Sequence, residues 1–117
     1  MRKLSKYRAA PTVIDGVRFA SKKEAARYAE LKLLERAGEI HDLRLQPRFV
    51  LSVGVPRQSV KIGEYRGDFQ YCQCETPMDC RGTFVVEDVK SIATKTRIYK
   101  WKVKHLRAEY GIEVQEV

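Results

Sequence analysis

Thr83-Phe84-Val85-Val86-Glu87-Asp88-Val89-Lys90 is the stretch on which the fold turns. Its first half is β-branched and continuously apolar, the pattern of a central strand buried on both faces of a sheet. Its second half carries charges where such a strand ordinarily stays apolar. Side chains alternate across a sheet, so Asp88 and Lys90 share a face with Val86, while Glu87 and Val89 occupy the other. A carboxylate and an ammonium two residues apart on one face can simply pair with each other. They can also do chemistry: a carboxylate holds a hard divalent cation through oxygen, and a nearby lysine orients a water and balances developing negative charge.

Upstream, Tyr65, Phe69 and Tyr71 alternate with Arg66, Asp68 and Gln70, which predicts a second strand with Asp68 set among residues patterned for burial. If this strand is the antiparallel neighbour of the first, Asp68 and Asp88 approach each other near one end of the sheet. Two carboxylates brought together repel, and a metal ion between them resolves the repulsion. The competing reading makes Asp68 the partner of Arg66 or Lys90. Further upstream, Leu43, Leu45, Phe49 and Leu51 alternate with Arg44, Gln46, Arg48 and Val50, a half-buried strand in which Pro47 points to an edge or a bulge.

Two helices frame these strands. The first has Ser21 as N-cap, Glu24 as capping-box partner and Gly38 as stop, with Ala25, Tyr28, Ala29, Leu31, Leu34 and Ala37 at helical spacing. A short hairpin, Val13 to Phe19, precedes it and turns at Asp15-Gly16. The second helix is expected from Thr96 to Tyr110, stopped by Gly111, and Ile112 to Val117 alternates as a closing strand. After the hairpin the order is α-β-β-β-α-β. This predicts a single-domain α/β protein with a mixed central sheet covered by helices, residues 1–12 forming a basic arm.

The composition agrees. The 117 residues are 44% apolar and 32% charged, with 23 Lys and Arg against 15 Asp and Glu and a net charge of +8. That is too apolar for a disordered chain and the right size for one core. No signal-like apolar run follows the basic start, and no stretch approaches the roughly 20 apolar residues of a membrane span. A soluble, cytoplasmic protein with no membrane partner is expected. The basic balance favours a polyanionic partner through counterion release, although many domains are basic for solubility alone. The charge is localised: from Val89 through Ala108 there are seven basic residues and no acid. Lys95, Thr96, Arg97, Lys100 and Lys104, at and around a helix start, suit phosphate contacts better than a merely solvated face, because neutralising acids at i,i+4 are missing.

Other chemistries are disfavoured. Cys72, Cys74 and Cys80 could form a structural zinc site with Asp79, Glu75 or His105, but the paired C-x₂-C spacing of zinc ribbons is absent. An odd cysteine count also argues against a disulfide framework. Residues 72 to 82 read instead as a hairpin tip. His41 and His105 stand in no nucleophile constellation, and no glycine-rich phosphate loop exists.

Asp68 followed by Asp88-Val89-Lys90, on the second and third strands of this element order, resembles the PD-(D/E)XK nuclease superfamily. A closer resemblance runs through Phe19 to Ala25 (FASKKEA), Leu31 to Ile40 (LKLLERAGEI), Leu45 to Phe49 (LQPRF), Gly67-Asp68-Phe69 and Val86 to Lys90 (VEDVK). These stretches look like a small phage and prophage family formerly of unknown function, assigned to that superfamily and similar to phage endonuclease I-type junction resolvases. The resemblance implies Asp68 and Asp88 as ligands of Mg²⁺ or Mn²⁺, joined by the main-chain carbonyl of Val89. It implies Lys90 as the group that positions water, and Glu24 as completing the site, against the rival view that Glu24 only caps its helix. Gln46 would be an accessory contact, Glu87 is the rival second acid, and Gly67 stands where the motif has proline. The implied function is a metal-dependent DNA endonuclease for branched or Holliday-junction DNA, homodimeric and phage- or prophage-encoded in a bacterial cytoplasm. The alternatives are a non-catalytic nucleic-acid-binding protein of the same fold and a zinc-containing interaction protein.

Overall fold

The computed structural model describes residues 12–73 and 84–117. Strands β1 (Thr12–Ile14) and β2 (Val17–Phe19) form a hairpin, and helix α1 (Lys22–Arg36) follows. Then come β3 (His41–Leu45), β4 (Arg48–Val53), β5 (Val60–Arg66), β6 (Phe69–Cys72) and β7 (Val85–Asp88). A 3₁₀ turn (Ile92–Thr94), helix α2 (Arg97–Tyr110) and β8 (Val114–Glu116) close the chain. The result is a small α/β domain. No helix among the described residues is long and apolar enough to cross a membrane.

Local chemistry accounts for the element ends. Asp15 and Gly16 both take positive φ, as a tight hairpin turn demands. Ser21 Oγ accepts the Glu24 amide at 3.1 Å and caps α1. Thr96 Oγ1 does the same for α2 by accepting from Tyr99 N–H at 3.1 Å, and Gly111, at φ 70°, ends that helix in the left-handed conformation.

The expected strands through Pro47 and through Asp68 each prove to be two. β3 pairs with β6 and β4 pairs with β5, both antiparallel, with breaks at Gln46-Pro47 and Gly67-Asp68. The register is the same on either side of the break, Leu45 opposite Phe69 and Arg48 opposite Arg66. Two hydrogen bonds carry the pairing across it: Gln46 N–H to Asp68 O at 2.9 Å and Gly67 N–H to Pro47 O at 3.0 Å. The four strands therefore form one bent antiparallel ribbon. Gln46 absorbs the bend at φ 51°, a conformation that costs a non-glycine residue of order 1 kcal/mol or more.

The bend separates two tasks. The β3–β6 half joins the four-stranded sheet β3-β6-β7-β8, in which β7 and β8 are parallel. The β4–β5 half extends away from it. On one face of the sheet, α1 buries Ala25, Tyr28 and Leu31 against Phe69 and Tyr71, with Val85 and Val89 packed alongside. On the other, Leu106 of α2 packs with Val86, Leu51 and Tyr65. Val85 and Val86 thus face opposite helices, as the alternation of a doubly covered strand requires. Truncating a fully enclosed side chain such as Leu106 to Ala costs about 2–5 kcal/mol.

Gly67 is set at the closest point of this packing. A Cβ there would lie 2.9 Å from Val86 Cγ1 and 3.4 Å from both Glu87 O and Pro47 Cγ. Proline at the same position would also delete the amide that reaches Pro47 O. Glycine at this position therefore has a packing reason.

Candidate active site

β6 and β7 run antiparallel with Phe69 opposite Glu87. Asp68 lies one residue before β6, and its N–H donates to Glu87 O at 3.0 Å, which holds it beside the end of β7. Asp68 follows the bend directly. Its Oδ2 accepts the Val89 amide at 2.7 Å, which fixes the carboxyl against the end of β7. Asp88 is 3% exposed. Its Oδ2 accepts the Tyr65 hydroxyl at 2.6 Å, and Lys90 Nζ lies 3.3 Å from its Oδ1.

These surroundings set the protonation of the pair. Burial pushes the Asp88 carboxyl up, the Tyr65 hydrogen bond opposes that, the neighbouring Asp68 adds to it and Lys90 opposes it, leaving a value of about 6. Asp68 is also raised, first by burial, against the stabilising Val89 and Asp88 hydrogen bonds and with a further upward push from Glu24. The Tyr65 hydroxyl, buried and bonded to Asp88, is held far above its ordinary range. Asp68 thus feels both Glu24 and Asp88. Among the described residues, no three Asp, Glu, His or Cys side chains are drawn together into a cage for an ion. The donor chemistry nonetheless suits a hard divalent cation: neighbouring carboxyl oxygens, whose ionised forms burial disfavours, are what such an ion takes.

Lys90 is held from several directions. Its Nζ lies 4.5 Å from the centre of the Tyr99 ring, and its carbonyl accepts Lys23 Nζ from the start of α1 at 2.9 Å. Glu24, Gln46 and Asp68 line one small cavity of about 240 Å³, together with Phe19 and Leu45. Asp88 and Lys90 open into a second, of about 430 Å³, where Arg66, Thr96, Tyr99 and Lys102 complete the wall. The Asp68–Asp88 pair bridges the two.

Glu87 faces the other way. It is 1% exposed and takes a two-pronged ion pair from Arg27 of α1, Nε to Oε1 at 2.8 Å and Nη2 to Oε2 at 2.6 Å. The Tyr71 hydroxyl donates to the same carboxylate. Glu87 is therefore spent on tying α1 to β7, on the face away from Lys90. The Arg27 guanidinium is correspondingly held above its ordinary value, chiefly by its hydrogen bonds to Glu87. Sequence reading missed this pair, because its partners are 60 residues apart. It also treated Tyr65 as a purely apolar strand residue. The signal available was its parity: Tyr65 lies on the ribbon face that packs against Val86, the face shared by Asp88.

The basic positions around α2 divide between two surfaces. Thr96 caps the helix and lines the Asp88 cleft, whereas Lys95, Arg97, Lys100 and Lys104 line a groove of about 710 Å³ between α2 and β8. Lys95 pairs with Glu116 at 3.4 Å. None of the ion pairs found among the described residues involves Arg97, Lys100, Lys102 or Lys104. His105 Nε2 meets Ser52 O at 2.9 Å and Glu109 Oε1 at 3.2 Å. The residue opposite Cys72 is His41. Cys74, Cys80 and the expected hairpin tip lie outside the described residues, as does most of the basic arm.

No curated protein and no solved structure matches this chain. One family does, described as a protein of unknown function (DUF1064), and the match runs over residues 4–115. That span takes in both helices, every described strand but the last residue of β8, and every carboxylate of the site, so the chain belongs to the DUF1064 family.

Proposed function

We propose that this protein is a metal-dependent endonuclease that hydrolyses phosphodiester bonds in DNA. The observation that carries the reading is the placement of Asp68 beside the end of β7, its carboxyl bonded to the Val89 amide next to Asp88, with Lys90 Nζ 3.3 Å from Asp88. Asp68 and Asp88 would hold Mg²⁺ or Mn²⁺, with the Val89 carbonyl beside them and Glu24 reaching the site through Asp68. Such an ion supplies Lewis-acid activation of water and stabilises charge on the phosphate. The chain's own residues do the rest. Tyr65 fixes one oxygen of Asp88 and leaves the other toward Lys90. Lys90, packed on Tyr99, carries a positive charge to the point where a phosphate and an attacking water meet. Arg66 and Lys102, across the same cleft, supply the charge that draws in the backbone.

A homodimer would cut two strands of a branched or Holliday-junction substrate, consistent with a phage or prophage role in the bacterial cytoplasm. The test is cleavage of branched and linear DNA with Mg²⁺ or Mn²⁺ by the parent and by Asp88→Ala. Loss of cutting in the variant supports the assignment, and equal cutting rejects it. A second reading, a nucleic-acid-binding protein without turnover, draws on the Lys90–Asp88 pair, which satisfies both charges without an ion. It predicts salt-sensitive DNA binding and no cleavage with any divalent metal.

A further inference from the structure

We infer that the groove between α2 and β8 binds an unpaired DNA strand, with Trp101 stacking on one of its bases. This rests on the nucleic-acid reading above and extends it to a surface outside the carboxylate cleft.

Trp101 is 47% exposed, although α2 has a buried face available in Leu106. It lines the groove among Arg97, Lys100 and Lys104. Those three cations recur at spacings of three and four, so they form one stripe along the helix, with Trp101 set into it. Lys95 is offset by Glu116, and the other three bring net positive charge. Val103 and Val114 give the groove an apolar lining. Cations beside an exposed aromatic in an apolar-lined groove match the chemistry of a single strand, whose phosphates take the charge while its bases offer open π-faces. A paired duplex keeps those faces stacked, and gives an exposed indole little to meet. Tyr99 lines both this groove and the Asp88 cleft. A strand lying along α2 therefore leads past Tyr99 toward Asp88, so the groove would hold the unpaired flank of a branched substrate.

Trp101 is the chain's single tryptophan, and its fluorescence reports the contact directly. The experiment titrates the full chain in EDTA with a dT oligonucleotide and with a hairpin duplex of equal length, so that turnover plays no part. In parallel, anisotropy of labelled DNA follows the parent, Trp101→Ala and Trp101→Phe. The expected result is strong quenching by the single strand and little by the duplex. Trp101→Ala should weaken single-strand binding about 5- to 100-fold with little change for duplex, and Trp101→Phe should restore most of it. Thermal melts of the variants should match the parent, since the side chain is half outside. Salt-sensitive binding of both DNAs with no response from Trp101, or equal weakening of both by Trp101→Ala, overturns this inference and leaves the nucleic-acid reading standing. Absence of binding to either DNA at low salt overturns both.

Discussion

Asp68 and Asp88 are set side by side where the β6–β7 ladder ends, one pinned by the Val89 amide at 2.7 Å and the other by the Tyr65 hydroxyl at 2.6 Å. The fold sets the half-buried Asp68 carboxyl beside the buried Asp88 carboxyl, and burial pushes Asp88 above its ordinary range. Such a pair is a cost to the isolated domain that a bound cation would remove.

The first prediction concerns that cost. Burial pushes the folded Asp88 carboxyl up to about 6, well above the ordinary carboxylate range. A raised folded pKa means that the stabilising contribution is fully present below the unfolded value and is lost as pH rises through about 6. Ionised Asp88 is thus destabilising near pH 8. Asp88→Asn should melt higher than the parent there in EDTA, by about 1–3 kcal/mol, and the gap should close as pH falls toward 4. A gap independent of pH would contradict the assigned environment.

Lys90 offers a second test, separable from metal binding. Lys90→Met keeps the stem that packs on Tyr99 but removes the charge, and should lower the cleavage rate about 10²- to 10³-fold. Calorimetric titration should show Mn²⁺ affinity kept or raised, since a competing cation beside Asp88 has gone. A large fall in Mn²⁺ affinity would mean that Lys90 organises the carboxylates instead.

Glu87 is expected to act through stability alone. Removing its partner in Arg27→Ala strands a buried carboxylate and should cost about 3–5 kcal/mol. Combining Arg27→Ala with Glu87→Gln should recover much of that, and denaturant unfolding of the parent, both single variants and the double variant closes the cycle. The double variant should still cleave DNA. Full loss of cleavage in a folded double variant would return Glu87 to the list of catalytic acids.

The close approach at Gly67 predicts that Gly67→Ala loses about 1–3 kcal/mol through overpacking against Val86. Combined with Val86→Ala, the loss should be smaller than the sum of the two single losses, measured by urea unfolding, because the Cβ then meets space instead of Cγ1. Independent, additive losses would place the strain elsewhere.

The helices were legible because their ends are written in capping residues: Ser21, Thr96 and Gly111 each sit where the structure stops or starts a helix. Period-2 alternation likewise put Asp88 on the face of Val86. What it could not convey was the bend. Apolar alternation runs straight through Pro47 and Gly67 because the ribbon keeps its register while changing its surroundings. The start of β5 was missed for a related reason: Val60 is 61% and Ile62 39% exposed, so that half of the ribbon has no buried face to impose a pattern. Contacts between distant segments, Arg27 with Glu87 and Tyr65 with Asp88, leave no local trace at all.

The central claim is that Asp68 and Asp88 hold a divalent cation. Anomalous diffraction from a crystal soaked in Mn²⁺ tests it most directly. The account predicts a peak between the two carboxylates, with the Val89 carbonyl beside it, and no such peak in Asp88→Asn. A Mn²⁺ peak elsewhere on the domain, with Asp68 and Asp88 still bonded only to Val89, Tyr65 and Lys90, would contradict it.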